Sequence, residues 1–253
     1  MAALSEIIAF LDDLLAPADF DDYCPNGLQV PGSESVELVA TGVSANRTAI
    51  ERAIADHDAG FVLCHHGLFW NGRPRSIDAT LRGRLAPLFA ADVALAAYHL
   101  PLDAHPALGN NALLCDLLGF DRGERFAEHG GRPIGFVGRS EAGVSRADLI
   151  DRIRAGLGRD PLVQGAGPDP IHSLGIVSGG AAGDLRAAIE LRLDGFLTGE
   201  PTEWAMAEAE EAGVHFIAAG HYATETLGVL ALGEALAARF GIAHVFVDVP
   251  NPV

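Results

Sequence analysis

Cysteine is scarce in this chain: Cys24, Cys64 and Cys115 are the only three among 253 residues. An odd number at such wide spacing provides neither a disulfide framework nor a Cys-x-x-Cys zinc site. That usage fits a reducing compartment, and the cytoplasm is the expected location. Long apolar runs are also missing. No stretch reaches the roughly 18 to 20 residues needed to cross a bilayer. The opening MAALSEIIAFLDDLL is acidic and amphipathic, without the basic leader region of a signal peptide. Positive charge is in short supply, with 17 basic residues against 34 acidic ones and a net charge of −17. Such a balance favours solubility and argues against an anionic membrane or a nucleic-acid backbone as partner. Glycine and proline follow no period, which excludes collagen-like and low-complexity classes.

What is present is apolar and rhythmic. Hydrophobic residues make up 49% of the chain and charged ones 20%, a composition that packs a core and does not stay disordered. The length suits one large domain or two small ones. Leu4, Ile7, Ile8, Leu11 and Leu15 recur at helical spacing, so a helix is predicted over residues 4–15. Strands are predicted near 36–43, 61–64 and 93–98, with helices near 48–56, 80–90 and 107–118. The second half repeats the alternation, with strands near 133–137, 172–177, 195–198, 214–218 and 243–248. Helices fit 146–156, 184–190, 202–211 and 222–238. Interleaved strands and helices predict an α/β fold with mixed sheets. Two lobes of about 1–125 and 126–253 are expected, with the polar, Gly-containing segment 121–132 as their junction.

Three places carry residues fit for chemistry. His65 and His66 follow the apolar run 61–64, so they stand at a strand's C-terminal end, where α/β folds usually bind ligands. The competing role is a pair of loop histidines bonded to backbone. His99 and Asp103 follow the next strand in Tyr98-His99-Leu100-Pro101-Leu102-Asp103. A carboxylate there binds metal, holds a ligating imidazole in one tautomer, or caps the next helix. His99 and His105 read as supporting or structural histidines. His221 and Glu225 lie four apart at a helix start, sharing a face; a surface pair or a dipole-favoured acid is the alternative. Glu200, in Thr198-Gly199-Glu200, ends another strand and is the candidate general base, against a capping or solvated role. Ser178-Gly179-Gly180-Ala181-Ala182-Gly183 lacks a P-loop lysine and reads as a tight turn.

Taken together, His65, His66, Asp103, His221 and Glu225 supply three imidazoles and two carboxylates, all at strand ends. Such donors suit zinc, iron, manganese or nickel better than calcium or magnesium. Five ligands exceed the needs of one tetrahedral zinc and fit two divalent ions with a shared carboxylate and positions open to water.

The same segments resemble the GTP cyclohydrolase 1 type 2 family, the Nif-three-like proteins. HHGLFW at 65–70, YHLPLDAHPALGNNALL at 98–114, SGGAAG at 178–183, TGE at 198–200 and GHYATE at 220–225 occur in that family's order, and NGLQV at 26–30 is similar to its N-terminal signature. The resemblance spans residues 26–249. It implies a single Nif-three-like unit over 1–253, made of two similar α/β lobes with a dinuclear metal centre between them. It also implies homohexamers assembled as trimers of dimers. Carried over, His66 and Asp103 hold one ion, His65 and His221 the other, and Glu225 bridges. The chain departs from some relatives in having no room for an inserted domain. After TGE, Pro201, Thr202, Glu203 and Trp204 stand where many relatives have histidines.

The resulting expectation is a dinuclear metal-dependent hydrolase acting on a small molecule. By the resemblance that substrate is GTP, whose imidazole ring is opened with loss of formate. Arg47, Arg73 and Arg75 are candidates for phosphate contact, with solvated surface arginine as the competing role. Two rival readings stand beside it: a non-catalytic metal-binding or regulatory protein, and a phosphoesterase using the same metal pair.

Overall fold

The computed structural model describes residues 1–73 and 76–253. The chain opens with β1 (Ala2–Ala3), α1 (Leu4–Leu15), β2 (Gly27–Val30), β3 (Ser35–Val36), β4 (Leu38–Ser44), α2 (Arg47–Ala55), β5 (Phe61–His66), α3 (Ala79–Ala91), β6 (Ala94–Ala97) and α4 (Leu100–Ala104). There follow α5 (Asn110–Leu118), β7 (Asp121–His129), β8 (Arg132–Val144), α6 (Arg146–Leu157), β9 (Leu162–Gly165), β10 (Ile171–Ile176), α7 (Leu185–Glu190), β11 (Gly195–Thr198), α8 (Glu203–Ala212), β12 (His215–Ala218) and α9 (His221–Thr224). The last elements are α10 (Thr226–Phe240) and β13 (Ala243–Phe246).

These elements form two compact units, residues 1–102 with 228–249, and residues 103–227 with 250–253. The chain therefore leaves the first unit at Leu102, well before the expected junction near 125. The segment 121–132, read as a junction, is the β7–β8 hairpin of the second unit, paired from Asp121↔Arg139 to His129↔Arg132. Its outer strand is exposed along most of its length, which explains why its sequence is polar.

In the first unit the sheet order is β13-β4-β5-β6-β2. The first four strands run parallel and β2 returns antiparallel beside β6. Strand β5 is buried from Phe61 to His65, as the continuous apolar run of a covered parallel strand requires. The helices between these strands start where their caps dictate. Asn46 accepts from the Ala49 N–H at 2.9 Å, and Asp78 accepts from Leu81 at 2.7 Å, each satisfying a donor that the first helical turn leaves open. The core includes Ile50, Val62, Leu88 and Leu95. On α1, Leu4, Ile7, Leu11 and Leu15 are buried, as their spacing predicts. Helix α10 packs close to β13: a Cβ at Gly233 would lie 2.1 Å from His244 Nε2, so a side chain there would displace the ring.

In the second unit the order is β7-β8-β10-β11-β12-β9. Strands β10, β11 and β12 are parallel, with antiparallel strands on both sides. Leu118, Phe136, Ile153, Leu174, Leu197 and Ile217 belong to its core. Both units therefore place three consecutive parallel strands in a mixed sheet, as the α/β reading expected. The three cysteines are buried and free. Among the described residues no helix is long and apolar enough to cross a membrane.

Leu174 has no exposed surface. Leu174→Ala leaves a cavity between β10 and its neighbours and is expected to cost about 2–5 kcal/mol. Urea denaturation followed by circular dichroism checks it; a cost below about 1 kcal/mol would contradict this account of the core.

Candidate functional site

Parallel pairing aligns the C-terminal ends of β4, β5 and β6, and the first unit's histidines stand there. Ser44 pairs with His66 in register, and Cys64 pairs with Ala97. His65 is fully buried, and its Nδ1 lies 3.1 Å from the Tyr98 carbonyl oxygen. The half-buried His66 places Nδ1 3.0 Å from the Ser44 hydroxyl. His99 is buried, with its Nδ1 2.8 Å from an Asp22 carboxylate oxygen. Ring centroids are 4.7 Å apart for His65 and His66, and 4.9 Å apart for His65 and His99. One nitrogen from each of the three lies within 4.8 Å of the others, a group that could hold a metal ion.

Asp22 is the hub of this arrangement. Besides His99 it accepts from Asn26 Nδ2 at 2.9 Å and from the Leu100 N–H at 3.0 Å. Burial pushes its pKa up, but the hydrogen bond and charge of His99, with Asn26 and Leu100, outweigh this and hold it below the ordinary value. Cys24 also lies within reach of Asp22 and His99. Burial and the Asp22 charge push its thiol pKa up, so the thiolate that would bind a metal is disfavoured.

In the second unit the same geometry recurs after β10, β11 and β12. Asp103, in the last turn of α4, is buried; its Oδ1 accepts from Asn110 Nδ2 at 2.8 Å and from the Ser178 hydroxyl at 3.0 Å. Asn110 and Asn111 are buried at the start of α5. Asn111 accepts from the Ser178 N–H at 2.7 Å and donates to the Ile134 carbonyl at 2.9 Å. His221 presents Nε2 to Glu225 Oε1 at 3.1 Å and Nδ1 to Glu200 Oε1 at 2.5 Å. The predicted continuous helix is broken at Glu225, which separates α9 from α10 and is itself buried. Gly179 has φ +68°, and a Cβ there would lie 2.4 Å from Glu225 Oε1, so the glycine-rich turn is a close approach to the carboxylate.

The whole chain can now be set beside known proteins. The sequence profile of Duf34/NIF3 (NGG1p interacting factor 3) matches residues 2–252. The chain belongs to the Duf34/NIF3 family. It is 42% identical over 250 residues to a GTP cyclohydrolase 1 type 2 homolog of Pseudomonas aeruginosa, covering 99% of this chain and 98% of that one. A protein of the same description from Allochromatium vinosum is 41% identical over 252 residues, covering 100% and 98%. Among solved structures it is similar to protein ybgI, described as of unknown function, with TM-score 0.93 and 38% identity over 99% of this chain and 100% of that one. TTHA1606 from Thermus thermophilus has TM-score 0.88 and 37% identity over 99% and 100%.

Within this family member, the residues singled out in the sequence fall into two groups. His65 and His66 stand together in the first unit. His221, Glu225 and Glu200 stand together in the second, where Asp103 is held by Asn110 and Ser178. Glu200 is bonded to His221 and so orients an imidazole. His105 accepts from the Ala107 and Leu108 N–H groups at 3.2 and 2.9 Å, a structural role. Arg47 pairs with Glu51 at 2.7 Å on an exposed helix face, and Arg73 is exposed. Arg75 lies outside the described residues. The sequence reading had no signal for Asp22, whose partner His99 is 77 positions away.

Burial alone would lower the His221 pKa, but the hydrogen bonds and charges of Glu225 and Glu200 outweigh it and raise the value to about 9. Because the folded value exceeds the ordinary 6.5, this stabilisation of the metal-free protein is complete below about pH 6.5. It is lost as pH rises through about 9. NMR titration of metal-free protein should show His221 titrating near 9, and Glu200→Gln should move that value down; no downward move would contradict the Glu200 contribution.

Proposed function

We propose that the chain is a cytoplasmic metal-dependent hydrolase whose two divalent ions are held by His65, His66, Asp103, His221 and Glu225. One observation carries this reading. His65 and His66 end the parallel strand β5 and His221 follows the parallel strand β12, each with Nδ1 engaged by a partner outside the ligand set, and one oxygen of Asp103 is held by Asn110 and Ser178. Metal-binding histidines usually have such a partner on the second nitrogen. Imidazoles mixed with carboxylates match zinc, iron, manganese or nickel. When bound, such ions lower the pKa of a coordinated water and polarise the bond to be attacked.

The chain's own residues prepare that chemistry. The Tyr98 carbonyl, an acceptor only, fixes the tautomer of His65, and the Ser44 hydroxyl orients the His66 ring. Asn110 and Ser178 hold one oxygen of Asp103, and Glu200 orients His221. Gly179, at φ +68°, lets the backbone pass close to the Glu225 carboxylate. The substrate in this reading is a small molecule, with GTP as the first candidate and opening of its imidazole ring with formate release as the reaction. Support for GTP comes from the description shared by the curated relatives. The assembly in this reading is a homohexamer, a trimer of dimers; light scattering that finds only monomers would remove that part.

The test is metal content per chain, by elemental analysis of protein purified without chelator or nickel resin, together with formate release from GTP. About two ions with turnover is the expected result. Two ions without turnover overturns the cyclohydrolase assignment and favours a phosphoesterase or a metal-binding regulator. No metal after reconstitution overturns the metal centre. Glu225→Ala, which removes the shared carboxylate, should lower metal content; unchanged content would contradict its role.

A further inference from the structure

The first unit holds a cavity of about 720 Å³, within the range of small-molecule sites. Its lining comes from that unit alone: the segment after α1, the segment after β5 and the start of α3. None of the five residues proposed as metal ligands lines it. The lining divides by chemistry. Leu68, Phe69, Trp70 and Leu81 supply apolar surface, and Arg73 and Arg84 supply two guanidinium groups.

The aromatic side is built in advance. Trp70 Nε1 donates to the Gly67 carbonyl at 3.2 Å, which fixes the indole. The Leu68 N–H donates to Gln29 Oε1 at 2.8 Å and the Asn71 N–H to the Tyr23 carbonyl at 2.7 Å, so the loop is tied on both sides of Trp70. Phe69 stays 36% exposed although it is large and apolar. Aromatic surface left open to water in this way is stabilised by a flat ring laid against it.

The charged side is equally distinct. Arg47, Arg154 and Arg186 are each paired with a neighbouring acid. Among the described residues, neither Arg73 nor Arg84 is paired with a carboxylate. The cavity's own acids are already engaged. Asp22 takes His99, Asn26 and Leu100, and Asp78 accepts from the Leu81 N–H at 2.7 Å as the cap of α3. In a chain with 34 acidic and 17 basic residues, two guanidinium groups left without acid partners on one cavity suit an anion from outside.

We propose that this cavity binds a phosphorylated aromatic molecule of the nucleotide class, with its ring against Trp70 and its phosphates on Arg73 and Arg84. Guanidinium groups match phosphate oxygens in both geometry and charge. The inference deepens the reading of a small-molecule substrate and rests on it for the choice of GTP. Trp70 meets the His99 ring edge-on at 5.2 Å, so a ring seated on Trp70 lies beside the C-terminal end of β6, and the phosphates lie toward α3.

The experiment uses the full chain carrying Trp204→Phe, which leaves Trp70 as the single tryptophan and its fluorescence as the reporter. GTP should change that emission, with an affinity that falls as salt rises. Arg73→Ala/Arg84→Ala should weaken GTP binding about 10- to 100-fold and leave guanosine binding unchanged. Arg73→Ala alone, at an exposed position, should lose about 10-fold. Trp70→Leu, measured by calorimetry, should weaken GTP and guanosine alike by about 10-fold. Far-UV circular dichroism checks that each variant is folded. The same arginine dependence is expected in His221→Ala/Glu225→Ala, which removes ligands of the proposed metal centre. GTP affinity that ignores both arginines overturns the inference, even where formate is released and the hydrolase reading stands. Inorganic triphosphate binding as tightly as GTP overturns it as well, because the ring then contributes nothing. Arginine-dependent GTP binding without formate release supports the cavity and removes the cyclohydrolase assignment.

Discussion

Each candidate ligand imidazole has two nitrogens, and the organisation of both units depends on what becomes of the one that does not face the site. A backbone carbonyl, a serine hydroxyl and two carboxylates take Nδ1 of His65, His66, His99 and His221. These bonds fix ring rotation, and those to the carbonyl and the carboxylates, which only accept, also place a proton on Nδ1. The sheets serve this constraint. Parallel register brings Ser44 beside His66, and the turn after β6 brings Tyr98 and His99 into line with them. The Nδ1 atoms of these imidazoles are thereby paired within the protein, which offsets the cost of taking them out of water.

The residues that were legible in the sequence share one property: their signals are local. His65 and His66 follow an apolar run of strand length, and His221 and Glu225 sit four apart beyond another. Alternating strands and helices were enough for the α/β class. What escaped was set by contacts distant in sequence. Asp22 lies in a polar stretch with nothing to distinguish it from Asp21. Asn110 and Asn111 look like turn residues, yet burial against Asp103, Ile134 and Ser178 makes them structural ties.

Element boundaries failed for a related reason. The β7 strand is largely exposed, so its composition is that of a loop and the pairing with β8 supplies its order. The helix after β12 is periodic enough to predict as continuous, but the chain turns at Glu225 and places that carboxylate in the interior. Local propensity would have kept the helix going; burial of an acid beside His221 and Gly179 won. Membership of the Duf34/NIF3 family over residues 2–252 agrees with the α/β fold.

The first unit closes on itself late. Strand β13 forms the edge of its sheet beside β4, and Thr41 bonds His244 at 2.8 Å across 203 positions of chain. Residues 103–227, nearly all of the second unit, are therefore synthesised before the first unit's sheet receives its last strand. Until then the β4 edge is an open row of peptide groups on the nascent chain, a surface that invites pairing with other strands. On the ribosome the second unit can mature ahead of the first, reversing the usual order in which N-terminal parts of a protein finish.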